Sequence, residues 1–404
     1  MVFERNNYFI IWWIPLLCLC LILLLSCTSG TSPSYRLPEK IVLEEFSTIV
    51  SLQDTVLSTP NILRYSYKMG SLFIYDAGRG EILALNKNGE RKTVYSRTGR
   101  GPGEFIRVNN LFAIDDYLYA VDPFQFAIQK YNRNGKWVST SMYRLKNVRP
   151  NTPMAPFSSS TVVESNLENQ PFITLSGNIL VSALPFSNSM PMPVQSVYEL
   201  RDWQMNRISK IGKIQAGTRF TMSDNDIQSA IDNREVPGIY KSNAFPVHDR
   251  AHHDEIFLIF NALPKIVKYD TAGTKLWESD LSGNGTGTRS VKGIPEMKHL
   301  RNRYFEEMDN LLKSQSAHGI NSSAPRYYSS GVSSPDGELY LILNGNPPVI
   351  HRFNNKGKLV AKYQLEPGDI ELRPIFDIDF TNRHLYIVTE EGEIRSYPLP
   401  NSSF

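Results

Sequence analysis

Between residues 97 and 137 the apolar positions come in short runs cut by turn residues. A glycine-rich corner (Gly99, Gly101, Gly103) leads into the run 106–114, and Asp115-Asp116 turns the chain into 117–121. Asp122-Pro123 then breaks the pattern before 127–131, and Asn134-Gly135 turns into a fourth run. Short runs rich in β-branched and aromatic residues, joined by two-residue turns, predict a four-stranded antiparallel meander.

The rest of the chain repeats this unit. Its second strand recurs six times, at 72–75, 118–121, 179–182, 256–259, 339–342 and 385–388. A third strand follows at 82–86, 128–132, 197–201, 266–270, 349–353 and 394–397. Hairpins into a fourth strand recur at Asn88-Gly89, Asn134-Gly135, Ala272-Gly273 and Lys356-Gly357. Where copies are compact the spacing is roughly 46 residues (Leu72 to Leu118, Leu339 to Leu385). A period of about 40–50 residues with four strands predicts an all-β fold, a six-bladed β-propeller. The continuous apolar second strands agree, because a middle strand of a blade is covered on both faces.

The last copy ends at 398–404 with no room for a fourth strand, while residues 40–46 (KIVLEEF) form a strand without a hairpin partner. Pairing that N-terminal strand onto the last blade closes the ring and covers an open edge. The expected organisation is therefore a signal segment at 1–26, a tether at 27–35 and one propeller domain at 36–404. Three stretches exceed the period. Residues 144–170, rich in Pro, Ser and Asn, read as a loop, and 221–234 as a short helix capped by Ser223 or Asp224. Residues 282–323 contain a helix at 295–314, with Met297, Leu300, Tyr304, Met308 and Leu311 at helical spacing. That helix is expected to lie over one face of the ring, as a packing lid or as a lid that gates a ligand.

Formal charge is only +3, so no electrostatic case exists for nucleic acid. All three cysteines, Cys18, Cys20 and Cys27, fall in the first 27 residues, leaving the propeller without a disulfide or a cysteine metal ligand. Residues 8–25 are almost wholly apolar and end at Ser26-Cys27, before a Ser/Thr/Gly/Pro stretch. This reads as an export signal, the alternative being an uncleaved membrane helix. With Leu24 at the third position before Cys27, the pattern resembles a bacterial lipobox, which implies cleavage after Ser26 and acylation of Cys27. The location implied is the cell envelope, lipid-anchored, facing the periplasm or the surface.

Residues 99–135 (GRGPGEF, YAVD, AIQKYNRNG) resemble an NHL repeat. With the lipobox and the six copies, the chain looks like the NHL-like or TolB-like six-bladed propeller lipoproteins of gut bacteria. That resemblance implies a fold and an envelope location and supplies little function. In Gly101-Pro102-Gly103-Glu104-Phe105 the glycines permit a tight corner, Glu104 is placed to accept turn N–H groups and Phe105 to wedge between blades. The alternative is that this corner touches a ligand.

The loops leading into the innermost strands offer Arg64-Tyr65, Arg107, Tyr240-Lys241, Arg326-Tyr327 and Arg373. Cations converging on one channel mouth would suit an anionic small molecule or glycan, with Arg forks on carboxylate or phosphate and Tyr stacking on a ring. The alternative is that each pairs with a local carboxylate. Residues 248–254 (HDRAHHD) form the one histidine cluster, read as a solvated turn in preference to a metal site. No nucleophile triad, catalytic residue or cofactor is expected. The reading is an envelope lipoprotein that binds an anionic small molecule, a glycan or a protein partner at a channel mouth. A propeller lyase or hydrolase at the same mouth, or a pure assembly scaffold, stands as the alternative.

Overall fold

A computed structural model describes residues 37–51, 56–143, 171–184, 194–219, 224–282, 294–313, 326–345, 347–366 and 372–400. The signal segment, the tether with Cys27, the 144–170 loop and the flanks of the 282–323 insertion lie outside the described residues. Six sheets form, one per repeat; the strands of each repeat follow sequence order from the channel outward, and two of the sheets gain an N-terminal strand at the outer edge. Blade 1 runs Pro60–Ser66, Ser71–Asp76, Glu81–Leu85 and Arg91–Arg97. Blade 2 runs Asn110–Ile114, Tyr117–Asp122, Ala127–Asn132 and Trp137–Met142. Blades 3 to 6 begin with the inner strands Phe172–Ile173, Ala244–His248, Tyr328–Ser333 and Leu372–Asp379. The protein is thus an all-β, six-bladed propeller, with antiparallel pairing within each four-stranded meander.

The hairpin between third and fourth strands shows why the period recurs in the sequence. Asn86, Asn132 and Asn354 each accept two turn N–H groups through Oδ1, from residues two and four positions on, at 2.9–3.1 Å. The glycine of each turn has positive φ, 83° at Gly89, 78° at Gly135, 93° at Gly273 and 73° at Gly357. Each also sits against the outer strand of the preceding blade. A Cβ on Gly273 would lie 2.2 Å from the Lys210 carbonyl, and one on Gly357 would lie 2.6 Å from the Trp277 ring. Outer-strand side chains reach the same turns, as when the Ser279 hydroxyl donates to the Gly357 carbonyl (3.0 Å) and the Tyr95 hydroxyl to that of Arg133 (2.6 Å). Backbone conformation and close approach therefore demand glycine together. Between blades lie the apolar clusters, for example Phe73, Tyr75, Phe105, Leu118 and Tyr131 between blades 1 and 2.

The glycine-rich corner is a structural joint. Glu104 Oε2 accepts from the Gly101 N–H (2.8 Å), and Phe105 is sealed against Tyr75, edge to face at 5.5 Å. Asp122 accepts the N–H groups of Ile106, Phe124 and Gln125 at 2.6–3.1 Å, tying the approach to the inner strand to the next turn. That tether explains why the inner strand starts at Asn110 and not at Ile106, as the apolar run predicts: residues 106–109 are spent on the corner.

Ring closure differs from the sequence reading in which strand does it. Two N-terminal strands form, β1 (Lys40–Leu43) and β2 (Ser47–Val50). The predicted strand, β1, does not pair with the last blade. It adds parallel to Leu359–Leu365, as a fifth strand on blade 5. Closure is made by β2, antiparallel to Ile394–Pro398 of blade 6. The physical reason is where each strand buries its side chain: β1 presents exposed Ile41 and Val42 and sends Leu43 into the cluster of blades 5 and 6, whereas Val50 of β2 enters the core between blades 6 and 1. A Cβ on Gly89 would lie 2.2 Å from the Ile49 carbonyl, so β2 also supplies the outer-strand seat that the first hairpin of the ring needs.

Among the described residues there are two α-helices, α1 (Asp224–Asp232) and α2 (Pro295–Lys313). α2 packs Met297 into the cluster of blades 4 and 5, pairs Glu296 with Lys362 (2.8 Å), and donates from Arg301 to the Arg234 carbonyl that follows α1 (2.8 Å). Among the described residues no helix is long and apolar enough to cross a membrane.

Candidate functional site: the central channel

The first strand of each blade is innermost, so all six inner strands run the same way along the channel. Residues from every one of them line a cavity of about 70 Å³, measured over the positions a water centre can take. That volume holds a few waters or a small solute. Three charged side chains meet in it: Arg64 from blade 1, Arg250 from the turn after the inner strand of blade 4, and Asp377 from blade 6.

Asp377 is fully buried. Its carboxylate accepts the N–H groups of Tyr65 (3.0 Å) and Ile378 (2.7 Å) and stands 3.9 Å from the Arg250 guanidinium. Arg64 spends three N–H groups on protein acceptors, the carbonyls of Leu63 (2.7 Å) and Leu111 (3.1 Å) and Oδ1 of Asn110 (3.2 Å). Two of its five donors remain for the cavity. Burial pushes the Arg64 guanidinium down; Asp377 opposes this, and the neighbouring Arg250 charge adds to it. The Arg250 backbone is fixed by Ser333 Oγ (3.0 Å), and its guanidinium lies over the Phe380 ring at 5.7 Å. Among the described residues that guanidinium has an ion pair with Asp377 but no hydrogen bond. Two fixed cations beside one carboxylate leave the charged side of the cavity with one net positive charge.

One stretch of the wall is apolar. Blades 2 and 3 contribute Phe112, Ala113, Phe172 and Leu175, and no charged side chain. His248 completes this wall, its ring centroid 4.3 Å from that of Phe172. Its Nε2 meets the Ile173 carbonyl, which can only accept, so Nε2 carries the proton. Burial above all, with Arg250 and Arg64 adding to it, pushes the imidazole down to about 3, so it is neutral at ordinary pH.

The structure separates the cations that the sequence groups together. Arg64 and Tyr65 line the channel cavity. Arg326 and Tyr327 line a second crevice under α2 with Tyr304, Arg303 and Glu307. Lys241, beside Tyr240 in the short turn Gly238–Tyr240, stands 3.4 Å from Glu235. Arg373 donates to the Glu390 carbonyl (2.6 Å) and bridges to Pro60 of blade 1 (3.4 Å). Arg107 precedes its strand and lines neither cavity. Convergence of all five on one mouth is therefore corrected. Pro60–Ser66 begins four residues before Arg64, so Arg64 lies inside its strand, while the others sit at or before strand starts, at the far end.

Sequence reasoning missed Arg250, Asp377 and His248. A signal existed for Asp377: two aspartates alternate with apolar residues in Phe376-Asp377-Ile378-Asp379, inside an inner strand. Arg250 and His248 sit in the HDRAHHD stretch, whose second half, His252 to Asp254, is the exposed turn expected, but whose first half turns inward. Asp249 is buried, and the Lys268 ammonium contacts both Asp249 and Glu255. Asp249, His252 and Glu255 offer ligand atoms within 4.8 Å of one another, the one group of metal-ligand type among the described residues. Lys268 already supplies the positive charge there, so the cluster is a staple between strands of blade 4.

A family model described as a 6-bladed beta-propeller matches residues 52–158, the span of blades 1 and 2. A search of curated proteins finds no match. Among solved structures the chain is similar to a protein of Bacteroides fragilis NCTC 9343, with 14% identity, 88% of this chain and 99% of that one covered, and a TM-score of 0.48. It is similar to a gluconolactonase of Xanthomonas campestris, with 10% identity, 88% and 89% covered, and a TM-score of 0.44. It is similar also to a virginiamycin B lyase of Staphylococcus aureus, with 10% identity, 89% and 89% covered, and a TM-score of 0.42. None of these likenesses carries a reaction or a ligand to this chain.

Proposed function

We propose that this chain is an envelope lipoprotein whose propeller binds a small anion in its central channel. The observation that carries the binding half is the meeting of Arg64, Arg250 and Asp377, from three blades, around one cavity. Charges gathered from distant parts of a ring do nothing for a local turn, and an unbalanced cation inside a channel favours an anion. Arg250, with its guanidinium lacking a hydrogen bond among the described residues, is the principal contact, and Arg64 adds its two spare donors.

Titration calorimetry with acetate, small aryl carboxylates and acidic sugars tests this reading. At least one anion is expected to bind, and Arg250→Ala to weaken it about ten-fold or more, the worth of a charged hydrogen bond. Unchanged affinity in that variant, with its melting transition intact, defeats the assignment. The envelope half is supported by the apolar 8–25 segment and Ser26-Cys27. Cys27→Ser is expected to abolish fatty-acid labelling and shift the protein out of the membrane fraction. Equal labelling of both forms rules out this anchor.

A further inference from the structure

The lining of the channel says more than that the ligand is an anion. Resting on the anion-binding reading above, we infer that the channel takes a monocarboxylate with an apolar body, of the single-ring or branched-aliphatic kind.

Charge comes first. Arg64 and Arg250 are offset by Asp377, which is buried and bound by two backbone N–H groups. One ligand charge balances the site, whereas a second would face Asp377 with no counter-ion. Like charges brought together in a desolvated site cost heavily. The next consideration is what else lines the cavity. Phe112, Phe172 and Leu175 offer no hydrogen bond; the neutral polar lining is Asn110, whose Oδ1 already accepts from Arg64 and from the Leu111 N–H (3.0 Å) and whose amide N–H groups can donate, with the hydroxyls of Ser330 and Ser333. His248 spends its N–H on Ile173. A sugar acid placed here would bring more hydroxyl groups than these few side chains can pair and set the rest against aromatic carbon, and unpaired buried hydroxyls are costly. An apolar body instead gains from every carbon it removes from water. Size follows from the cavity of about 70 Å³, which excludes an oligosaccharide from this position.

Matched ligands on the intact ring test the inference by calorimetry: phenylacetate, its neutral amide, phthalate and glucuronate. Phenylacetate is expected to bind tightest, with each of the other three about ten-fold weaker or more. A channel variant, Leu175→Gln, is expected to weaken phenylacetate several-fold and to leave glucuronate unchanged. If glucuronate or phthalate binds as well as phenylacetate, the inference falls while anion binding stands. Equal binding of the amide also overturns it, because the charge then does no work. If no carboxylate binds, both readings fall together.

Discussion

Val50→Asp is expected to prevent stable closure of the ring, and Ile41→Asp is expected to be tolerated. Val50 is 1% exposed and packs among Leu63, Leu72 and Leu83 of blade 1 and Tyr386, Val388 and Ile394 of blade 6. Its replacement forfeits about 1.5–3 kcal/mol of side-chain burial. It also places a carboxylate where no cation waits, so the total reaches roughly 4–5 kcal/mol or more, a large part of the 5–15 kcal/mol that holds a typical domain together. Ile41 is 41% exposed, on a strand added to the outside of an already complete blade. Aspartate there meets water and costs about 1 kcal/mol or less through strand propensity. Urea midpoints of the two variants decide the matter. Comparable losses, or a greater loss from Ile41→Asp, would mean that β1 and not β2 closes the ring.

Acidification between pH 6.5 and 4 is expected to weaken the fold steeply because of two buried imidazoles. His351 is 0% exposed; Nδ1 meets the Tyr328 hydroxyl at 2.8 Å, and Nε2 has no partner among the described residues. Burial pushes His351 down to about 3, against Glu296, which acts to raise it, and with Lys362, which acts to lower it. Burial of the Tyr328 phenol pushes it well above its ordinary value, so it stays protonated and donates to Nδ1. His248 is likewise held down at about 3. In the unfolded chain both titrate near 6.5. Over the interval between those values the unfolded state binds protons that the folded state refuses. Stability is therefore complete above pH 6.5 and falls as pH drops toward 3. The limiting slope is about 1.4 kcal/mol per pH unit for each imidazole. His351, the more sealed of the two, approaches this limit; His248, which faces the channel and its water, contributes less. Urea unfolding at a series of pH values measures the slope, and His351→Gln, which keeps an acceptor for Tyr328, is expected to reduce it markedly. A stability that stays flat from pH 6.5 to 4.5 would contradict the buried, neutral state of both rings. Below that window Asp249 and Glu296 add to the loss. Burial raises both carboxyls, but ammonium partners outweigh it and hold them low, so their contribution disappears only as pH falls through the depressed values.

Strand order, blade number and turn positions were legible in the sequence because each rests on local chemistry repeated many times. An apolar run of four residues, a glycine at positive φ and an asparagine that accepts two turn N–H groups need only neighbours within one blade and its hairpin, and the asparagine and glycine recur together in the hairpins of Asn86, Asn132 and Asn354. What only the tertiary structure decided are the contacts made once, across the ring. β2 is four residues long and β1 is more apolar as a string, yet burial between the first and last blades picks Val50. Asp377, Arg250 and Arg64 lie on blades 6, 4 and 1, separated by more than a hundred residues at each step, and no spacing rule connects them. Each alone reads as an ordinary turn or strand residue. Their joint meaning arises because closing the ring turns their side chains onto one axis, where water is scarce and charge has to be balanced.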